Sequence, residues 1–112
     1  MLYIVNSISL QMINGAKEGA FEFKQISADE VVEMLSRNKY LSCIGHEDTA
    51  KYLSELLGVE LIHNPLTLRV ENGAQMIVCQ YCKGRLRKNI SFTPDAFKFY
   101  LVKVNYVNLN SD

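Results

Sequence analysis

The sequence predicts a small α/β domain: a single mixed β-sheet of about five strands flanked by helices. Three observations carry this. Short apolar runs of strand length alternate with two segments whose apolar residues recur at helical spacing. The helical segments bear terminal signals, Ser27 with Glu30 opening one and Gly58 closing the other. Finally, 112 residues, 48% of them apolar, supply one core and not two, so residues 1–112 read as a single domain.

The elements follow in order. Leu2–Val5 reads as a buried first strand, ended by the polar pair Asn6-Ser7. Asn14-Gly15 and Gly19 mark a loop, and residues 20–26 a second strand. Ser27 followed three residues later by Glu30 is a capping box. The helix it opens runs to about Arg37, with Val31, Met34 and Leu35 on its inner face. Residues 40–44 form a third strand. Glu47–Leu57 form a second helix, with Ala50, Leu53 and Leu57 at helical spacing and Gly58 as its stop. Residues 66–70 and 74–82 flank Asn72-Gly73, a strong short-range hairpin signal, and are predicted to pair. Thr93-Pro94-Asp95 starts a short helical turn, and Phe97–Val107 is a long last strand whose aromatics alternate as core residues do.

Composition narrows the function classes. Twelve basic residues balance 12 acidic ones, so no global field draws the chain to nucleic acid, which argues against duplex DNA as a partner. An anionic ligand would have to meet a local cluster. No apolar run approaches a membrane span. The first ten residues lack a basic residue and are interrupted by Asn6, Ser7 and Ser9, which suits a strand and not an export signal. Three cysteines, an odd number, are expected as reduced thiols in a cytoplasmic setting. Cys79 and Cys82 lie in a strand and point to opposite faces, so no metal site is expected of them.

Three segments are candidates for chemistry. In the stretch 42–50 an apolar strand runs into Gly45-His46, and a helix begins at once. Gly45 permits close approach of a ligand to backbone, and the helix start presents unpaired N–H groups. His46 would stand there as a proton donor, although the same residues also suit a plain helix start. The second segment, Lys83-Gly84-Arg85-Leu86-Arg87-Lys88, gathers four basic residues in six. Its arginines can grip phosphate oxygens in bidentate fashion, or the run is a solvated strand end. The third, Asn6, Ser7 and Ser9, places short polar side chains where a strand ends, a common ligand-lining position and an equally common loop composition. His63, near a turn, reads as a surface histidine.

Taken together, these segments resemble a family of small crenarchaeal-virus and mobile-element proteins that includes the type III anti-CRISPR ring nucleases. The specific part is Gly45-His46-x-x-Thr49-Ala50 followed by Leu57-Gly58-Val59; Asn6-Ser7, Asn64 and Arg85-Leu86 support it. The resemblance implies a homodimer, without membrane attachment, that binds cyclic tetra-adenylate in the host cytoplasm. Such a protein cleaves the ring to linear di-adenylate with no cofactor or metal. His46 matches the family's catalytic histidine and Arg85 its phosphate-binding arginine. Asn6 and Ser9 match positions lining the ligand pocket, and Ser7, Gly45, Lys83 and Lys88 are expected beside them.

Two positions depart from the family pattern. Pro65 stands where an arginine often follows the asparagine matched by Asn64, and Lys88 where a glutamate often stands. Both bear on rate more than on fold. They keep open a non-catalytic reading, a sponge that sequesters the cyclic nucleotide. A structural or DNA-binding protein of a virus or mobile element is the third reading.

Overall fold

The computed structural model describes residues 1–13, 15–66, 68–85 and 91–107. Its strands are β1 (Leu2–Val5), β2 (Glu18–Ile26), β3 (Tyr40–Cys43), β4 (Gln75–Tyr81) and β5 (Phe97–Val107). Two helices, α1 (Ala28–Arg37) and α2 (Glu47–Leu57), and 3₁₀ turns at Leu10–Ile13 and Pro94–Ala96 complete the elements. The strands form one five-stranded sheet in the order β2-β5-β4-β1-β3. β1 runs parallel to both β3 and β4, while β5 is antiparallel to β4 and β2. The mixed α/β sheet expected from the sequence is therefore present.

Alternation along the strands divides the core between two faces. Leu2 and Ile4 of β1 and Ile77 and Cys79 of β4 pack under Val31 and Leu35 of α1 and Ala50, Leu53 and Leu57 of α2. Tyr3, Val5, Met76 and Val78 point the other way, with Val102 and Val104 of β5, against Ile13, Leu68 and Val70. Among the described residues no α-helix covers that second face. The turn at Leu10–Ile13 and the chain near Leu68 and Val70 cover it instead, joined where the Val70 N–H donates to the Met12 carbonyl at 2.8 Å. β1 is thus buried on both sides, as its unbroken apolar run requires of a central strand.

Local signals fix the helix ends as read. Ser27 accepts from the Glu30 N–H at 3.1 Å, and Glu30 accepts from the Ser27 N–H at 3.2 Å, closing the capping box. Gly58 ends α2 in the left-handed region at φ 68°, where a side chain would be strained.

One predicted element is absent. Residues 66–70 are not a strand in their described part, and Asn72-Gly73 does not join a hairpin. β4 already has β1 on one edge and β5 on the other, so no edge remains to pair with. Asn72-Gly73 is still a turn, with Gly73 at φ 86°. It is pinned to β5: the Gly73 N–H donates to the Val104 carbonyl at 2.7 Å, and Asn72 Oδ1 accepts the Tyr106 N–H at 2.8 Å. Smaller differences concern ends: β2 begins at Glu18, and β4 stops at Tyr81, leaving Cys82 outside it. Asn14 of the expected Asn14-Gly15 loop lies outside the described residues.

Candidate functional site

Because β3, β1 and β4 are neighbours and parallel, their carboxyl ends open at one end of the sheet. Three connections therefore begin side by side: Asn6-Ser7 after β1, Ile44-Gly45-His46 after β3, and Cys82 to Arg85 after β4. Crevices at such ends are where open α/β sheets take ligands.

Pairing of Val5 with Cys43 brings Asn6 level with the exit of β3. The Asn6 side chain accepts the Gly45 N–H at 3.0 Å. Gly45 itself has neither a positive φ nor a crowded surround. A Cβ built there would meet only Asn6 Oδ1, at an ordinary 3.7 Å. Within the chain nothing demands glycine at this position.

His46 is the residue at which α2 begins. Its carbonyl accepts from the Ala50 N–H at 3.0 Å, but its side chain makes no capping bond and is exposed. His46 is thus a helix-start residue, as the plainer reading had it, and its imidazole makes no capping bond. Glu47 and Asp48 occupy the first turn and offset part of the helix's positive end. Behind them, Thr49 is buried, and its hydroxyl has no hydrogen-bond partner among the described residues.

The basic segment is only partly in view. Arg85 is exposed and joins no ion pair among the described residues. Lys83 is paired with Asp95 at 3.1 Å, so part of its charge is spent inside the chain. The Thr93 hydroxyl and then Lys83 hold the Asp95 carboxyl below the usual carboxylate range. Leu86, Arg87 and Lys88 lie outside the described residues. Further along, the Phe92 ring sits 5.0 Å from Tyr52 of α2 and 5.3 Å from Phe97. This cluster packs Phe92 against α2, the helix that His46 precedes. Ser7 and Ser9 are exposed beside Asn6, Ser9 accepting the Met12 N–H at 3.1 Å through its carbonyl. The expected site residues that are described thus share one end of the sheet, with Lys83 the least available.

Cys79 is buried in β4, and burial pushes its pKa up to about 12; Cys82 is exposed just past the strand. No helix of the described residues is long and apolar enough to cross a membrane.

One residue was undervalued by the sequence reading. His63 is exposed, as a surface histidine would be, yet it forms an isolated parallel bridge with Ile44. Its Nε2 lies 3.3 Å from the Gly45 carbonyl. Asn64 holds this return in place: its N–H donates to the Ile44 carbonyl at 2.9 Å and its side-chain amide to the Ser42 carbonyl at 3.2 Å. The short apolar run Leu61-Ile62 ahead of His63 was the only local signal, too short to read as a strand.

Fold and site together define a small α/β domain whose polar side chains gather where parallel strands end. The chain belongs to the STIV B116-like family, whose model matches residues 2–104. Uncharacterized protein 26 of the Sulfolobus islandicus filamentous virus is 34% identical over 77 residues, 69% of this chain. That match spans 64% of the viral protein, somewhat under two thirds of its length. YddF of Bacillus subtilis (strain 168) is 31% identical over 91 residues, covering 75% of this chain and 83% of that protein. Among solved structures, B116 of Sulfolobus turreted icosahedral virus superposes with a TM-score of 0.72 over 90% of this chain and 97% of its own. At 16% identity that likeness is one of fold.

Proposed function

We infer that this chain is a metal-independent ring nuclease. It binds cyclic tetra-adenylate and cuts it to linear di-adenylate ending in 2′,3′-cyclic phosphate, countering type III CRISPR signalling. The observation that supports the reading most is His46, whose imidazole makes no capping bond, standing at the sheet end where Asn6 grips the preceding Gly45.

RNA carries its own nucleophile, so the protein has three tasks. It must hold the ribose 2′-hydroxyl in line with the phosphorus, protonate the departing 5′-oxygen, and stabilise the charge on the phosphorane. An imidazole can donate a proton near neutral pH, which suits His46 to the second task. Arg85 suits the third, because its guanidinium can meet two phosphate oxygens at once. A two-fold homodimer would set two such groups around a ring that itself contains a two-fold axis. Ile8, Leu10, Ile62 and Leu66 are large apolar side chains left exposed on the connections that follow β1 and α2, the kind of surface that a second copy would cover.

Incubation with labelled cyclic tetra-adenylate and a chelator, followed by chromatography, tests the reading. Linear products from the parent chain and an intact ring with His46→Ala are expected. A ring left intact by the parent overturns it. Lys88 and Pro65 favour the second reading, a sponge, since lysine adds charge for phosphate and cannot accept a proton at neutral pH. Tight binding without turnover would establish that reading.

A further inference from the structure

We propose that His63 is a second reacting group of this site, the base that takes the proton of the attacking ribose 2′-hydroxyl while His46 protonates the leaving oxygen. The inference rests on the nuclease reading above and names a residue that reading leaves without a role.

The placement of His63 is built and not incidental. After α2 the chain turns back through Gly58 and runs along the open edge of β3. The Ser42 hydroxyl donates to the Ile62 carbonyl at 2.7 Å, Ile44 bridges to His63, and the Asn64 N–H donates to the Ile44 carbonyl at 2.9 Å. Backbone is therefore fixed on both sides of His63, and its ring reaches the Gly45 carbonyl, one residue before His46. The Gly45 peptide is held at both of its polar ends, its N–H by Asn6 at 3.0 Å and its carbonyl by His63 at 3.3 Å.

That contact decides the proton's position. A carbonyl oxygen can only accept, so Nε2 of His63 must carry the hydrogen. In the neutral ring the other nitrogen, Nδ1, is then a lone-pair acceptor. The His63 residue is exposed, and Nδ1 is the atom assigned to meet the ligand. A neutral imidazole fixed as its Nε2–H tautomer is a base ready for use, and the hydrogen bond to Gly45 grows stronger when the ring becomes cationic.

The step balances. The 2′-hydroxyl gives its proton to Nδ1 of His63 as its oxygen bonds to phosphorus. The bond from phosphorus to the 5′-oxygen breaks, and that oxygen takes a proton from the His46 imidazolium. A 2′,3′-cyclic phosphate and a free 5′-hydroxyl result, with the two rings having exchanged protonation states. Imidazole is better matched to this traffic at neutral pH than a carboxylate. Around the pair, α2 contributes the charges of Glu47 and Asp48, the return segment that of Glu60, and the connection after β4 those of Arg85 and of Lys83, itself paired with Asp95; the connection Asn6–Leu10 carries none.

The test is single-turnover cleavage of labelled cyclic tetra-adenylate across pH, with affinity measured in parallel, for the parent chain, His63→Ala and His63→Gln. Glutamine keeps an N–H donor for the Gly45 carbonyl but cannot take up a proton. Both variants are expected to lose about 10²-fold or more in rate, the contribution of a general base, with affinity within a few-fold of the parent. Both should also lose the fall in rate on the acid side of the pH profile, whereas the fall on the alkaline side, set by His46, persists. A His63→Gln chain with the parent's rate and profile overturns the proposal while leaving the nuclease reading standing. A parent chain that leaves the ring intact overturns both. Nitrogen NMR of histidine-labelled parent protein is independent of any variant's folding: an Nε2–H tautomer for neutral His63 is expected, and an Nδ1–H tautomer overturns the assignment.

Discussion

The Asn6 side-chain oxygen accepts the Gly45 N–H at 3.0 Å, tying the end of β1 to the residue before His46 across 39 positions of sequence. Asn6→Ala removes the acceptor and is expected to cost about 1 kcal/mol of stability, the usual worth of one such bond. Asn6→Asp keeps an acceptor oxygen and adds a negative charge facing the crevice. Thermal melting should therefore separate Ala from Asp, whereas titration with cyclic tetra-adenylate should show the Asp variant as the weaker binder. An Asp variant that binds as tightly as the parent would remove Asn6 from the ligand site.

Gly45→Ala makes a cleaner separation of fold from function. Nothing lies closer than 3.7 Å to a Cβ there and φ is not positive, so stability should hold or rise by about 0.5 kcal/mol through the less flexible unfolded chain. Binding of the cyclic nucleotide is expected to weaken, because the methyl would stand where ligand meets backbone. Unchanged affinity, measured by calorimetry, would place the ligand away from Gly45.

Thr49 is buried at 1% exposure with an unpaired hydroxyl among the described residues. Thr49→Val keeps the shape and removes the desolvated oxygen, whose burial costs about 1–3 kcal/mol when unmatched. The variant should melt several degrees higher than the parent. A lower melting temperature would show that the hydroxyl has a partner in solution.

Glu71 accepts from the Tyr3 hydroxyl at 2.7 Å, and this bond holds its carboxyl below the usual range. A carboxyl depressed in the folded state contributes stability above its unfolded pKa, about 4.3, and loses it as pH falls through the folded value. Glu71 is about half exposed, so the contribution is expected to stay at or below about 1 kcal/mol. The gap in melting temperature between parent and Glu71→Gln should close as pH drops from 6 toward 3 (roughly the range in which carboxyls titrate). A gap independent of pH would mean that packing, not charge, carries the effect.

The sequence determined what is decided within a few residues. The Ser27–Glu30 box closes inside one turn, and Gly58 accepts the left-handed backbone at the point where α2 must stop. The unbroken apolar run of β1 likewise announced a buried strand, and the Gly45-His46 step from strand to helix could be read directly because both elements are local. Strand order was decided elsewhere. Residues 66–70 and Asn72-Gly73 look like half a hairpin to any local reading. They lost that role because β1 and β5 occupy both edges of β4, a competition among segments distant in the chain. The site shows the same division. Asn6, His46 and Arg85 were legible as polar residues at strand ends, but only parallel pairing of β3, β1 and β4 brings them to one end of the sheet. His63 reaches Gly45 only because β3 is an edge strand with hydrogen-bonding groups left to satisfy. No pattern within the return segment encodes whose edge that will be.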